Sequence, residues 1–159
     1  MPHIHKLIDF VISVFIVHQD KVLLVHHKKY NKWLPIGGHI ELDENPDQAL
    51  MREIHEECGL KVKILADRPK IGHSGVVPLY TPSYMDIHQI SKTHRHTAFV
   101  YFGVSKSDKA VLHEREHREL KWFTRRELSH KKYGLSKSIQ FYCQKSLDVS
   151  KYSQKKTKW

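Results

Sequence analysis

The chain has 159 residues, 40% of them hydrophobic, which suits one globular domain with a proper core and excludes a disordered or fibrous class. Its 27 Lys and Arg against 17 Asp and Glu give a formal net charge of +10, which favours polyanionic partners such as nucleotides or RNA. No apolar run reaches the length of a membrane span, no signal peptide pattern opens the chain, and Cys58 and Cys143 stand alone, so we expect a cytoplasmic protein without membrane contact or disulfides.

The first two predicted elements are the strands of a hairpin. Residues 8–17 are rich in β-branched side chains, and residues 21–26 read as the returning strand after a short turn. The basic segment 27–35 follows and contains two aromatic residues, Tyr30 and Trp33. Either ring could stack on a nucleobase, and Trp33 could equally pack in the core.

Residues 38–60 are an acidic island in this basic chain. They carry seven carboxylates and one arginine, a formal charge of −6, so the other residues together hold +16. Asn45 is a good N-cap, Pro46 suits the first helical position and Gly59 is a natural stop, which predicts a helix over residues 46–58. Three of its carboxylates share an arc of about 100°: Glu53, Glu56 and Glu57. A hard divalent cation would remove their mutual repulsion.

The spacing within this stretch resembles the signature of the Nudix hydrolases. The 23 residues match all nine fixed positions of that signature: Gly38, Glu44, Arg52, Glu53, Ile54, Glu56, Glu57, Gly59 and Leu60. The resemblance implies an α/β (α+β) fold in which a mixed β-sheet is sandwiched between helices in α/β/α layers. It also implies a pyrophosphohydrolase that uses Mg²⁺ or Mn²⁺ to cleave a nucleoside diphosphate linked to another moiety.

The resemblance also implies the roles of individual residues. The expected metal ligands are the Gly37 carbonyl, Glu53, Glu56 and Glu57. Arg52 is expected to orient the glutamates, and Glu44 either supports Arg52 or reaches the metal through water. Gly38 and Gly59 are expected to permit the turns around the helix.

Family members often carry one further glutamate after the signature, as a metal ligand or general base. Glu114, Glu116 and Glu119 are available, and we favour Glu116 because it lies six residues before Trp122 in a segment similar to many relatives. A solvated side chain is the alternative for Glu116. His39 follows the two glycines and could approach phosphate or metal, or point to solvent.

The remaining elements predict a single domain over residues 1–150. We expect strands at 61–66, 94–104 and 119–123, an irregular Pro- and Gly-containing loop at 67–83, a helical turn at 125–130 and an amphipathic helix at 135–147. Residues 151–159 form a basic tail that we expect to be frayed.

Two classes of function follow from these observations. The first is the metal-dependent hydrolase, acting on a nucleoside triphosphate, ADP-ribose, a nucleotide sugar, or a capped or 5′-triphosphate RNA. The second is a non-catalytic module that binds nucleotide or RNA on the same fold. The presence of every signature glutamate favours the enzyme, while the basic C-terminal third keeps RNA as a partner. The sequence does not predict the oligomeric state.

Overall fold

Seven strands form one mixed sheet with helices on both faces. The computed structural model describes residues 7–72, 75–112 and 115–156. The strands are β1 (Ile8–His18), β2 (Lys21–His27), β3 (Lys32–Leu34), β4 (Val62–Ile64), β5 (Tyr84–Gln89), β6 (Arg95–Ser105) and β7 (His117–Thr124). The helices are α1 (Pro46–Cys58), α2 (Arg125–Leu128) and α3 (Lys137–Lys156), with a short 3₁₀ helix at Lys131–Tyr133. Within the described residues, no helix has the length and apolar character needed to cross a bilayer.

The centre of the sheet is the parallel pair β1 and β6, joined over ten residue pairs. The main path runs β3-β2-β1-β6-β4, and β5 and β7 add to β6 and β2. All pairs other than β1 with β6 are antiparallel, including the predicted hairpin of β1 and β2. This arrangement confirms the predicted mixed sheet.

The alternation of β1 supplies a hydrophobic core to each face of the sheet. Ile12, Val14 and Ile16 pack on the face that carries α1, where Leu50 and Ile54 of the helix meet them. The intervening residues of β1 pack on the opposite face with Cys143 and Leu147 of α3. Helices therefore cover both faces, as the α/β/α prediction required.

Helix α1 begins and ends where the sequence predicted. The Asn45 side chain accepts a hydrogen bond from the Gln48 N–H at 3.0 Å, and the Gln48 side chain accepts one from the Asn45 N–H at 2.9 Å. Gly59 closes the helix with φ = 63°, a left-handed conformation that glycine adopts at little cost. These caps fix the orientation of the acidic face of α1 relative to the sheet.

Trp33 belongs to the core, which favours core packing over base stacking, the two roles that the sequence left open for it. Its side chain is only 8% exposed, and its ring packs edge-on against Phe123 at 5.0 Å between centroids. This contact lies on the α3 face, opposite the signature helix. A substrate bound near α1 cannot reach the Trp33 ring from there.

The C-terminal helix is longer than predicted. Helix α3 continues through residues 151–156, which we had expected to form a frayed tail, and residues 157–159 lie outside the described residues. Ser146 and Ser150 are buried on its inner face, and each hydroxyl donates to the carbonyl three residues earlier, Cys143 and Leu147 respectively. Serine can be buried when its hydroxyl is hydrogen-bonded within the helix. A prediction from apolar residues alone therefore places the end of this helix too early.

Replacement of Glu127 by Gln is expected to reveal an acid-sensitive contact remote from the acidic island. The Lys121 ammonium and the backbone N–H and hydroxyl of Thr124 lower the pKa of Glu127 to about 2. A carboxyl group with a lowered folded-state pKa stabilises the protein above its unfolded pKa of 4.5, and this stabilisation is lost as pH falls through about 2. Urea unfolding should show Glu127→Gln to be ~1 kcal/mol less stable at neutral pH, and the difference should shrink toward pH ~3. An equal difference at both pH values, or the same loss in the exposed Glu119→Gln control, would contradict this.

Candidate active site

Arg52, in the middle of α1, is in contact with three carboxylates. Its Nε and Nη2 donate to the two oxygens of Glu44 at 3.1 and 2.7 Å. Its Nη1 donates to Glu53 at 2.7 Å and to Glu56 at 3.1 Å. Nη2 also donates to the His39 carbonyl at 3.0 Å, which ties the loop before α1 to the helix. The guanidinium group therefore fixes the relative positions of these carboxylates, with Glu44 as its bidentate support.

The Glu53 carboxylate is closely packed against Gly38 in the loop that precedes α1. Its side chain is 11% exposed, and a Cβ atom at Gly38 would lie 2.3 Å from its Oε1. Burial raises the pKa of Glu53 to about 7; the hydrogen bond from Arg52 opposes the shift, while the Glu57 and Glu56 charges add to it. The ionised group is thus costly in this position unless a further cation faces it.

Glu57 joins α1 to two other parts of the chain. Its Oε2 accepts a hydrogen bond from the Gly37 N–H at 2.8 Å, and its Oε1 lies 2.7 Å from His117 Nε2. The side chain of His117 is only 1% exposed. Gly37 has φ = 149°, and a Cβ atom there would lie 2.1 Å from the Ile12 carbonyl oxygen, so only glycine fits at this approach.

Glu116 is brought to the same place by β7. One ligand atom from each of Glu57, Glu116 and His117 lies within 4.8 Å of the others. The Glu116 carbonyl accepts a hydrogen bond from the Lys28 N–H at 2.8 Å, which fixes the start of β7 against the end of β2. Glu119 is exposed farther along the strand, and Glu114 lies outside the described residues. Of the two described candidates, Glu116 is therefore the one that approaches α1.

The donor chemistry of this site fits a hard divalent cation. The glutamate oxygens form two pairs: Glu53 and Glu56 share Arg52 Nη1, and Glu57 lies with Glu116 beside His117. Two of the side chains on α1 are about nine-tenths buried, whereas that of Glu56 is 52% exposed and open to a ligand from solvent. Oxygen donors of this kind suit Mg²⁺ or Mn²⁺ better than softer metals. Arg52 already balances part of the negative charge of these glutamates. The remaining charge lies on carboxylates that repel one another.

His117 is the site residue that the sequence reasoning missed. Strict alternation would put it on the same face as Phe123, which packs toward α3. The register between β2 and β7 shifts at residues 26 and 27, where His26 pairs with Glu119 and His27 with His117. This bulge turns His117 toward Glu57. No local sequence pattern predicts the bulge.

Two residues predicted to touch substrate lie in different surroundings. Tyr30 is 37% exposed, and its ring centroid lies 4.7 Å from that of His27, which in turn lies 5.4 Å from that of His117. The Tyr30 ring is therefore accessible and is connected to His117 through the ring of His27. The His39 side chain faces Asp9, with Nε2 3.4 Å from the Asp9 carboxylate, although its carbonyl contacts Arg52.

Comparison with known proteins gives one family over most of the chain. The NUDIX domain model matches residues 9–144. A NUDIX-family hydrolase from Clostridium perfringens is 35% identical, with a TM-score of 0.79 over 89% of this chain and 97% of that one. An Ap4A hydrolase from C. elegans covers 91% of this chain and 95% of its own with a TM-score of 0.59, and at 18% identity it shares the fold alone.

A curated relative matches a shorter segment more strongly. Diphosphoinositol polyphosphate phosphohydrolase 3-alpha from Mus musculus is 45% identical over 47 residues. The aligned part is 29% of this chain and 29% of that protein, so the match spans less than a third of the relative's length.

Proposed function

We propose that the chain, which belongs to the Nudix family, is a metal-dependent pyrophosphohydrolase. Its substrate is a nucleoside diphosphate linked to another moiety: a nucleoside triphosphate, ADP-ribose or a nucleotide sugar. Water attacks one phosphorus, a new P–O bond forms, and the bond from that phosphorus to the bridging oxygen breaks. The observation that carries the proposal is the convergence of Glu57 from α1 and Glu116, the residue before β7, beside Glu53 and Glu56 on Arg52.

The residues of the chain divide the work of this reaction. Glu53, Glu56 and Glu57 would hold the divalent cation, with the Gly37 carbonyl as a further ligand. When bound, Mg²⁺ or Mn²⁺ would neutralise charge on the diphosphate and lower the pKa of water at the site. Arg52 and His117 act as positioning residues, because each holds a glutamate rather than reaching the substrate. Tyr30 provides an accessible ring for the remainder of the substrate.

Product formation from a substrate panel tests the proposal. The panel contains nucleoside triphosphates, ADP-ribose, nucleotide sugars and dinucleoside polyphosphates, each with Mg²⁺ or Mn²⁺ and with a chelator. We expect turnover of one class that needs the metal and is lost in Glu56→Gln. Glu41→Gln is the matched control, since the Glu41 side chain is exposed and precedes α1. Tight nucleotide or RNA binding without turnover anywhere would instead favour the non-catalytic binding module.

Glu116→Gln should lower kcat by about 10²- to 10⁴-fold if this residue takes the proton of the attacking water. The change should leave the melting temperature close to that of the wild type, because Glu116 is exposed and the change keeps the size of its side chain. The measurement is steady-state kinetics on the best substrate of the panel, beside a thermal melt. Glu119→Gln, three residues later in β7, is the control. Turnover near that of the wild type would remove Glu116 from the mechanism.

A diphosphoinositol polyphosphate is a second candidate substrate. The observation that favours it is the 45% identity, over 47 residues, to a relative named for hydrolysis of such compounds. The net charge of +10 also suits a substrate with many phosphates. Adding a diphosphoinositol polyphosphate to the panel decides between the two: the preferred substrate is the one with the higher kcat/KM.

A further inference from the structure

A second group of metal-binding side chains lies at the N-terminal ends of β1 and β6. Asp9 and His96 are register partners in this parallel pair, and His94 lies immediately before β6. One ligand atom from each of Asp9, His94 and His96 lies within 4.8 Å of the others. His39 lies beside this group: its ring centroid is 4.9 Å from that of His96, and its Nε2 lies 3.4 Å from Asp9 Oδ2.

The distances between these atoms are close to those of a tetrahedral site. Ligand bonds of ~2.0–2.1 Å to a tetrahedral Zn²⁺ place neighbouring ligand atoms ~3.3–3.4 Å apart. Asp9 Oδ2 lies 3.1 Å from His94 Nε2 and 3.4 Å from His39 Nε2. The third ring, His96, is perpendicular to that of His94 with 5.1 Å between centroids. Small side-chain rotations would therefore let one ion contact Asp9, His94 and His96, and a larger movement of the His39 ring would add it as a fourth ligand.

The donor set differs in kind from that of the candidate active site. Three imidazoles and one carboxylate suit Zn²⁺ and its neighbours among the first-row metals, whereas Mg²⁺ prefers oxygen donors alone. His96 is 9% exposed, while the side chains of His94 and Asp9 are 27% and 45% exposed, which leaves a path for an ion from solvent.

We propose that Asp9, His39, His94 and His96 form a second cation site, which takes a transition-metal ion such as Zn²⁺. The site connects β1, β6 and the loop that leads into α1. His39 contributes its ring to this site, while its carbonyl accepts a hydrogen bond from Arg52 of the carboxylate cluster. Binding of the ion would therefore hold the glycine-containing loop beside α1 in place. The site is distinct from the one proposed for catalysis, since the two share no side chain.

Titration with Co²⁺, in the presence of saturating Mg²⁺, tests the proposal directly. Excess Mg²⁺ occupies the oxygen-donor site, while Co²⁺ at a nitrogen-rich tetrahedral site gives an intense visible absorption. We expect about one equivalent of Co²⁺ per chain, displaced by Zn²⁺, and a rise in melting temperature with Zn²⁺. His94→Gln, His96→Gln and Asp9→Asn should each weaken binding by ~10- to 100-fold.

Two controls separate this site from other sources of metal binding. His55→Gln removes an exposed histidine of α1 and should bind Co²⁺ like the wild type. Glu56→Gln should also keep the absorption, whether or not the chain proves to be a hydrolase. Loss of the absorption in Glu56→Gln but not in His94→Gln would overturn the proposal, as would unchanged binding in all three ligand variants. His94 is the decisive ligand variant, because its partial exposure makes a folding defect less of a concern than at His96.

Discussion

Glu57→Gln is expected to lower kcat by about 10²- to 10³-fold while the protein remains folded. A carboxylate that holds a catalytic divalent cation contributes several kcal/mol to the transition state, and each 1.4 kcal/mol corresponds to a factor of about ten. The amide keeps the size of the side chain but has one acceptor oxygen and no charge. Its oxygen can still accept the hydrogen bond from the Gly37 N–H.

The cost in stability should be moderate, because the amide leaves one N–H of the His117 ring without an acceptor. In the wild type, His117 Nε2 faces the Glu57 carboxylate at 2.7 Å, and among the described residues Nδ1 is the one buried side-chain nitrogen or oxygen without a hydrogen-bond partner. With the amide nitrogen facing Nε2, the ring proton moves to Nδ1 and remains there without an acceptor. A buried unsatisfied donor costs about 1–3 kcal/mol, which sets the expected loss in the free energy of unfolding.

Kinetics and urea unfolding on the same preparation separate the two effects. Glu41→Gln provides the matched control for kcat, and a second variant, His117→Gln, tests the positioning role by itself. If His117 acts only through Glu57, its replacement should lower kcat and raise the Mn²⁺ concentration needed for half-maximal activity. Wild-type turnover in Glu57→Gln would contradict the ligand role and would move the reaction to other carboxylates.

Arg52→Ala is expected to lower the free energy of unfolding by about 2–3 kcal/mol when a chelator is present. The change removes charged hydrogen bonds to Glu44, Glu53 and Glu56 and leaves these carboxylates facing one another. The Arg52 side chain is 29% exposed, so solvent screens part of the loss and the value lies below that of a fully buried pair. Mn²⁺ should recover much of the difference, because it supplies the missing positive charge.

Unfolding in urea with a chelator, and again with Mn²⁺, measures this effect. Arg52→Lys keeps the charge but not the planar fork that contacts two oxygens of Glu44, so we expect it to fall between the wild type and Arg52→Ala. Glu44→Gln, made in the wild type and in Arg52→Ala, completes a double-mutant cycle for the Arg52–Glu44 pair. Equal stability of Arg52→Ala and the wild type in chelator would show that the arginine does not hold the cluster together.

The sequence is informative here wherever a contact is local. The caps of α1 at Asn45 and Gly59 are read from neighbouring residues, and the alternation in β1 comes from its own side chains. The caps of α1 were predicted, and β1 was predicted as a core strand from its β-branched residues. The Arg52 contacts with Glu53 and Glu56 also lie within one or two turns of a helix, so the local part of the site follows from helix geometry.

Features set by distant parts of the chain were harder to read. The turn of His117 toward Glu57 depends on the register shift between β2 and β7, and the burial of Trp33 depends on Phe123. Strand β5 went unpredicted because it has no buried residue, so it lacks the apolar alternation that marks a strand with one face in the core. These elements owe their positions to pairing with other strands rather than to patterns of their own.

The parallel pairing of β1 with β6 has a consequence for how the protein folds during translation. Each of the ten residue pairs joins positions 87 apart, from Ile8 with Arg95 to Val17 with Val104. At a synthesis rate of ~5–20 residues per second, β1 waits about 4–17 seconds for its partner to be made. During this interval an uncharged, β-branched segment of β1, from Val11 to Val17, is exposed, and such segments self-associate readily. Aggregation of this protein should therefore depend more on chaperones during translation than on the stability of the finished fold.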